Sequence, residues 1–187
     1  MNMVILRDMQ KNDIKNYVHW FTVETEWSEK WDAPWEGKID ATIDEETLKW
    51  TRYFQYVDQL SKERLRTKFE IEVYGNHIGW ASAYRDLGYL ENPEKIWAIG
   101  IDIPVKDARN KGYGTQALKL FIDYLFDQGE GKLYIQTWSG NKPMIKIILN
   151  LGFKEYCRKT NYRIIDKKPY DAITYILEKI SYDKHDC

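Results

Sequence analysis

Apolar and polar residues recur with two different periods along this chain. Between Gln116 and Phe126 the apolar positions follow a 3.6-residue period, which places one apolar stripe on a helix. The residues of that stripe are Ala117, Leu118, Phe121, Tyr124 and Leu125. The capping pair Asn12-Asp13 predicts a second helix through Phe21, and residues 44–60 predict a third.

Several short segments are instead rich in β-branched and aromatic residues, the composition of strands. Two of them flank the pair Gly75-Asn76, which is typical of a hairpin, and two more flank a turn predicted at 166–169. The predicted strands cover residues 4–7, 68–74, 77–85, 97–103, 132–137, 156–165 and 172–178. This order of elements predicts an α/β fold with a mixed sheet and helices on both of its faces.

A basic turn that contains two glycines opens directly into the 116–126 helix. Its residues are Arg109, Asn110, Lys111, Gly112, Tyr113, Gly114 and Thr115. Glycines let the backbone approach a ligand closely, and the first amides of a helix lack intrahelical partners and lie at the positive end of its dipole. Arg109 and Lys111 add mobile positive charge. The segment is therefore predicted to hold phosphate.

The spacing Arg109-x-x-Gly112-x-Gly114 resembles the Arg/Gln-x-x-Gly-x-Gly/Ala acetyl-CoA signature of the GNAT superfamily of N-acetyltransferases. A second GNAT-like pattern follows, in which Asn141 opens a helix that closes with Gly152-Phe153. The resemblance covers roughly residues 69 to 178 and is nearest to ribosomal-protein N-terminal and aminoglycoside 6′-N-acetyltransferases. It implies a single GNAT-type domain over residues 1–187, with a mixed, mostly antiparallel central sheet.

The same resemblance implies acetyl-CoA as the co-substrate. The whole turn from Arg109 to Thr115 is expected at the pyrophosphate, including Asn110, Lys111 and Tyr113. In the family, the strand before this turn pairs with the pantetheine arm through its main chain, which here corresponds to Ile101 and Ile103. Asn141 is expected to reach the pantetheine from the second motif.

Asp102 is the candidate general base. It lies in an otherwise apolar strand, and its context Gly100-Ile101-Asp102 resembles that of the catalytic aspartate in some aminoglycoside 6′-N-acetyltransferases. Period-two alternation puts it on the strand face opposite Ile101 and Ile103. The alternative is an aspartate that only satisfies a loop.

One family feature is missing, because the seventh residue after Asn141 is Ile148, where many GNAT enzymes have a tyrosine that protonates the leaving thiolate. Three alternatives follow: the thiolate leaves unassisted, it is protonated through water, or Tyr134 or Tyr156 takes the role of the missing tyrosine.

The segment from Trp20 to Trp50 carries five tryptophans among nine acidic residues. Indole faces and carboxylates together suit a cation, so the predicted acceptor is a polyamine, an aminoglycoside-like amine or a basic peptide end. Glu24, Glu26 and Trp27 are the candidate substrate-binding residues. The alternative is that the tryptophans fill the core and the acids cover a solvated face.

Composition narrows the function classes further. A chain of 187 residues with a net charge of -1 has no clustered excess of Lys and Arg, so no nucleic-acid partner is expected. Short apolar runs predict no membrane segment and a cytoplasmic protein, and the cysteine and histidine spacings predict no metal site. The protein is expected to be a monomer or a homodimer.

Two other functions remain open. One is a catalytically silent, GNAT-like acyl-CoA-binding module. The other is a nucleotide-binding oxidoreductase, since residues 112–117 also fit the dinucleotide fingerprint, but residues 132–140 lack the acidic partner that such a site needs.

Overall fold

The computed structural model describes residues 3–31, 35, 38–88, 90–91 and 94–182. Asp32 and Glu36, two of the acids in the tryptophan-rich segment, lie outside the described residues. Within the described part of the chain, no helix is both long and apolar enough to cross a membrane.

Among the described residues, seven strands form one sheet in the order β1-β2-β3-β4-β5-β7-β6. They are β1 (Val4–Arg7), β2 (Lys68–Val73), β3 (Asn76–Tyr84), β4 (Trp97–Asp102), β5 (Lys132–Trp138), β6 (Lys154–Ile165) and β7 (Lys168–Glu178). Every neighbouring pair is antiparallel except β4 and β5, which are parallel. The prediction of a mixed, mostly antiparallel sheet is confirmed.

In the part of the chain that the structure describes, six α-helices accompany the sheet: α1 (Ile14–Thr22), α2 (Glu26–Trp31), α3 (Ile43–Asp58), α4 (Tyr113–Asp127), α5 (Lys142–Asn150) and α6 (Lys179–Tyr182). A capping box fixes the start of α3, because Thr42 accepts a hydrogen bond from the Glu45 amide and Glu45 in turn accepts one from the Thr42 amide.

The two faces of the sheet carry different cores. On β3, Trp80 points into an aromatic cluster formed with α1, α2 and α3, whereas its neighbour Ala81 points into an aliphatic core with Leu118 and Phe121 of α4. Successive residues of a strand face opposite sides of a sheet, so the helices lie on both faces, as expected.

The parallel strands β4 and β5 leave a gap between their carboxyl ends. Among the described residues, β4 and β5 pair only at their first residues, Trp97 with Leu133 and Ala98 with Tyr134. Beyond them, β4 pairs with β3 as far as Asp102 and β5 pairs with β7 as far as Trp138. The carboxyl ends of β4 and β5 are therefore not joined to each other.

Several details differ from the predictions. Helix α4 begins at Tyr113 rather than Gln116, so part of the predicted turn is its first helical turn. The last hairpin turns at Asp166 and Lys167, both with positive φ, and Pro169 lies within β7, beyond the residues that pair with β5. Helix α2 was not predicted, because its tryptophans and acids show no clear helical stripe.

Candidate active site

The glycine turn has the backbone shape of an anion site. Gly112 has φ 81° and Asn110 has φ 60°, so the chain passes twice through the left-handed region before α4 starts. Gly112 is the residue that caps α4, and its carbonyl accepts the first helical bond from the Gln116 amide at 3.1 Å. No side chain of the described residues caps this end, so the first-turn amides of α4 are not used by a capping side chain.

Gly114 lets the start of α4 lie close to the end of β4. A Cβ atom at this position would lie 3.4 Å from Cδ1 of Ile103 and 3.8 Å from Cδ1 of Ile101 and of Ile147. A larger side chain here would therefore fill the space between α4, α5 and β4.

The guanidinium of Arg109 is fixed rather than mobile, which corrects the sequence prediction. Its Nε donates to the Ile103 carbonyl at 2.8 Å, and its Nη2 donates to the Pro104 carbonyl. Burial lowers the pKa of Arg109, and the carboxylates of Glu26 and Glu24 oppose that shift. Arg109 thus fastens the chain just after β4 to the turn.

Asn141 holds the second motif in place. Its Oδ1 accepts a hydrogen bond from the Met144 amide at 3.1 Å, and Pro143 lies in the first turn of α5. This N-cap starts α5 directly after β5, so the start of α5 faces the start of α4 across the gap between β4 and β5.

These elements enclose a cavity of about 440 Å³, called the cleft below. Its wall contains most of the residues that the sequence singled out: Trp27, Ile101, Asp102, Ile103, Arg109, Asn110, Gly112, Gly114, Thr115 and Asn141. Four candidates are not in the wall. Lys111 is exposed, Tyr113 packs against the small core that contains Ala108 and Ala117, and Glu24 and Glu26 line a neighbouring cavity.

Five wall residues were missed by the sequence reasoning: Ala108, Pro143, Met144, Lys146 and Ile147. Four of them belong to the first half of α5. For the α5 residues, the signal in the sequence was the second motif, because a helix that starts at the cleft must have its first turns next to the cleft. Ile148, in contrast, is fully buried in the aliphatic core.

Asp102 is the last residue of β4 and lines the cleft. It pairs with Trp80 of β3, and a Cβ on Gly79 would lie 2.0 Å from the Asp102 carbonyl oxygen. Glycine at position 79 is therefore required for β3 and the end of β4 to lie this close. Asp102 faces the aromatic side of the sheet, and Ile101 and Ile103 lie beneath Gly114, so the predicted alternation is present.

A second cavity, of about 630 Å³, lies beside the cleft. Glu24 and Glu26 line it together with Trp27, and Trp27 and Arg109 are the two residues common to both cavities. These two side chains therefore separate the cleft from a more polar space that contains the carboxylates.

Trp27 is held firmly in this position. Its Nε1 donates to the Trp20 carbonyl at 3.0 Å, and its ring meets Trp80 edge-on with centroids 5.5 Å apart. Only 6% of its surface is exposed.

Two other tryptophans of the segment follow the alternative in which they fill the core. Trp20 and Trp50 are buried in the aromatic cluster, and the Trp50 ring stacks on Tyr17 at 3.7 Å. The cation that this cluster holds belongs to the protein itself, because the Lys68 ammonium lies over four of its rings. Of these tryptophans, Trp27 alone lines the cleft among the described residues.

Neither tyrosine named as a substitute for the missing one lines the cleft among the described residues. Tyr134 packs with Leu87, Ile96 and Ala98, and its ring lies 5.3 Å from that of Tyr156. Burial, followed by a hydrogen bond with Tyr156, raises the pKa of Tyr134 to about 12. These features indicate a packing role for the pair.

Comparisons with known proteins agree with this geometry. A family model described as an acetyltransferase (GNAT) domain matches residues 3–154. No curated protein matches the chain in sequence.

Among solved structures, the chain is similar to the ribosomal-protein-S5-alanine acetyltransferase of Vibrio fischeri, with 18% identity, a TM-score of 0.72 and coverage of 97% of this chain and 96% of that one. It is also similar to Mycobacterium smegmatis RimJ in complex with CoA-disulfide, with 17% identity, a TM-score of 0.71 and coverage of 95% and 82%. The yncA protein of Salmonella typhimurium, solved with its cofactor acetyl-CoA, has 16% identity, a TM-score of 0.66 and coverage of 95% and 94%. At these identities the likeness establishes the fold alone.

Proposed function

The chain belongs to the GNAT acetyltransferase family, and we propose that it transfers an acetyl group from acetyl-CoA to a primary amine by direct attack in a ternary complex. The observation that carries the proposal is the cleft itself, whose wall joins the glycine turn, Asp102 and Asn141. A phosphate site, a carboxylate and a second helix start on one wall are what acetyl transfer from a nucleotide-linked thioester needs.

The backbone of the turn binds the pyrophosphate in this proposal. The amides of residues 113–115 lie at the positive end of the α4 dipole, and the two left-handed residues Asn110 and Gly112 shape the turn before them. Exposed Lys111 adds charge at the rim. The pantetheine arm then follows the main chain of Ile101 and Ile103 into the gap between β4 and β5, with Asn141 on the opposite wall.

Asp102 acts as the general base. An amine attacks a thioester only as the neutral form, so a proton must leave the acceptor ammonium before or during attack. Asp102 lies on the cleft wall with its side chain on the face of the sheet that carries the aromatic cluster, opposite Ile101 and Ile103. The ammonium first releases one proton to solvent, and the neutral amine then attacks the thioester carbonyl to form the new C–N bond. The Asp102 carboxylate accepts the second proton from the attacking nitrogen, and the C–S bond breaks to release the CoA thiolate.

The thiolate needs no tyrosine in this scheme. Its conjugate acid has a pKa near that of an ordinary thiol, about 8.5, so it is already a good leaving group at neutral pH. Buried Ile148 at the family's tyrosine position is compatible with this, and water supplies the final proton.

The acceptor is a small cationic amine, an aminoglycoside-like compound or a peptide N-terminus. Support comes from the second cavity, where Glu24 and Glu26 lie next to Trp27 at the edge of the cleft. Both carboxylates are exposed, so they attract a cation through solvent rather than bury it.

Release of free CoA thiol in the presence of acetyl-CoA and a panel of amines tests the proposal. We expect thiol release with at least one cationic amine, and a loss of about 10²–10⁴-fold in kcat/KM for Asp102→Asn. Acetyl-CoA binding without thiol release for any amine would instead identify the silent acyl-CoA-binding module, which the absence of a tyrosine at position 148 favours. Full activity of Asp102→Asn across pH would remove Asp102 from the base role.

A further inference from the structure

Lys68, the first residue of β2, has its ammonium enclosed by an aromatic box. The distances from Nζ to the ring centroids are 4.3 Å for Trp50, 4.4 Å for Tyr17, 4.9 Å for Trp80 and 5.1 Å for Tyr53. All four lie within the range of cation-π attraction. Rings stabilise a cation without neutralising it, so the positive charge persists inside the protein.

The box lies on the same face of the sheet as Asp102. Strand register pairs Glu70 with Trp80 and Trp80 with Asp102, so the three residues form one row across β2, β3 and β4. Lys68 starts the adjacent row, two residues before Glu70, and therefore faces the same way. Trp80 lies between the two groups, paired with Asp102 and under the Lys68 ammonium.

Two carboxylates act electrostatically on this ammonium, Glu70 on β2 more strongly than Asp102 on β4. The Glu70 carboxylate already has two other partners, because its Oε2 accepts a 2.6 Å bond from the Tyr17 hydroxyl and lies 2.8 Å from His77 Nε2. His77 is in turn ion-paired with Asp13. The Glu70 carboxylate is thus shared between Lys68, the Tyr17 hydroxyl and His77.

The remaining titratable groups around Lys68 are Lys49 of α3 and the phenols of Tyr17 and Tyr53. Burial lowers the pKa of Lys68 to about 8, while Glu70 and then Asp102 oppose the shift and Lys49 adds to it. At neutral pH the ammonium is therefore still charged, in surroundings where a charge is weakly screened.

We propose that Lys68 is a positioning residue for acetyl transfer, the fixed counter-charge that keeps the Asp102 carboxylate ionised on the face of β4 that carries the acceptor side of the cleft. This inference rests on the proposed role of Asp102 as base. A lysine that moves freely in water would be screened, whereas the box fixes the ammonium at one place and removes water from around it. Lys68 does not touch the substrate in this account.

The electrostatic coupling can be tested without knowing the acceptor. We would titrate the 13Cε signals of lysines in the whole protein by NMR and assign Lys68 by its loss in Lys68→Arg. Asp102→Asn should lower the apparent pKa of Lys68 by about half a unit or more, because an attracting carboxylate is lost. Asp107→Asn, an exposed aspartate of the neighbouring loop, is the matched control and should leave the titration unchanged. An unchanged Lys68 titration in Asp102→Asn overturns the inference.

The catalytic consequence appears in the pH profile of kcat/KM, measured with the best amine from the thiol-release panel. Lys68→Met keeps the aliphatic stem and removes the charge, so its acid limb should move to higher pH by about one unit. Lys68→Arg should restore the wild-type limb. Lys49→Met, which removes a lysine that lies 5.0 Å over the Trp50 ring, should leave it in place.

The outcomes separate the two proposals. If the acid limb of Lys68→Met coincides with that of wild type while Asp102→Asn is inactive, Lys68 is only a packing residue and the proposed function stands. If Asp102→Asn is fully active, the base assignment fails and the role of Lys68 fails with it. Should Lys68→Met not fold, the NMR titration still decides the coupling, because it needs only Asp102→Asn and Lys68→Arg.

Discussion

The two sides of the cleft are built in different ways. On the side proposed for the cofactor, the backbone determines the shape. Gly112 provides a left-handed turn, Gly114 lets α4 lie close to the end of β4, and Asn141 caps α5. On the side of the second cavity, side chains determine the shape, because Trp27 is fixed against Trp20 and Trp80. In the proposed function, cofactor binding therefore depends on local chain geometry, whereas acceptor binding depends on packing between distant segments.

Because of this difference, each side of the cleft can be tested separately. A substitution on one side should leave binding at the other side intact. Changes on the cofactor side should alter acetyl-CoA affinity, and changes on the aromatic side should alter stability and acceptor kinetics.

The largest effect is expected for Trp27→Ala. Removing this buried indole should cost about 3–5 kcal/mol of stability and join the two cavities, so KM for the acceptor should rise by about tenfold or more. Trp27→Phe keeps a ring and loses the bond to the Trp20 carbonyl, so its cost should be nearer 1 kcal/mol. Urea unfolding and steady-state kinetics measure both effects. If acetyl-CoA affinity falls and the acceptor KM stays constant, Trp27 belongs to the cofactor side.

Lys68 should make stability depend on pH in a predictable direction. Its pKa is 10.5 as the ordinary value and about 8 in the folded protein, so between these values the unfolded chain binds a proton that the folded protein has released. Stability should therefore rise with pH across this window, by about 2–3 kcal/mol between pH 7 and pH 10.

The measurement compares the free energy of unfolding of wild type and Lys68→Met at the two pH values. The tyrosines contribute equally to both proteins, so the difference isolates Lys68. Lys49→Met should retain the rise because Lys68 is still present. An equal pH dependence in wild type and Lys68→Met would show that Lys68 is not desolvated.

Gly112→Ala tests the backbone character of the cofactor side. A Cβ at this position has room, since the nearest atom is Gln116 Nε2 at 3.9 Å, but φ of 81° strains any L-residue by about 1–2 kcal/mol. The turn is expected to relax to relieve this strain, so acetyl-CoA affinity should fall by about 5–30-fold. Gly131→Ala, whose Cβ would meet nothing within 4 Å, is the control and should bind normally. Unchanged acetyl-CoA binding by Gly112→Ala would contradict the account of the turn.

The smallest effect is expected for Glu24→Gln and Glu26→Gln. Exposed charges contribute about 0.2–1 kcal/mol each, so KM for a cationic acceptor should rise by about two- to fivefold and the effect should shrink at high salt. KM for acetyl-CoA should not rise. Glu63→Gln, on an exposed loop after α3, serves as the control. An acceptor KM that is identical in all three variants would exclude the two carboxylates from the acceptor site.

The side of the cleft proposed for the cofactor could be predicted from the sequence because its shape depends on local backbone conformation. Gly112, Gly114 and Asn141 each imply a local conformation, and their spacing alone identified two helix starts. The family match over residues 3–154 confirms the resemblance that those motifs carried. The residue roles themselves stay predictions until they are measured.

The aromatic side was only partly predictable. The segment was recognised as unusual, but composition does not distinguish a tryptophan that lines a cavity, Trp27, from one that fills a core, Trp50. That distinction depends on β3, which lies far along the chain from both. No role was predicted for Lys68, because a lysine at the start of a strand is typical of an exposed surface. Its aromatic surroundings form only in the folded protein, where four rings from α1, α3 and β3 surround its ammonium.

The measurement that tests the central claim most directly is calorimetric titration of acetyl-CoA into wild type, Gly114→Trp and Gly131→Trp, with NAD titrated in parallel. We predict micromolar binding of acetyl-CoA to wild type and to Gly131→Trp, no binding to Gly114→Trp, whose indole would occupy the space beside Ile101 and Ile103, and no binding of NAD. Absence of acetyl-CoA binding to wild type, or equally tight binding to Gly114→Trp, would contradict the assignment of the cleft as the cofactor site.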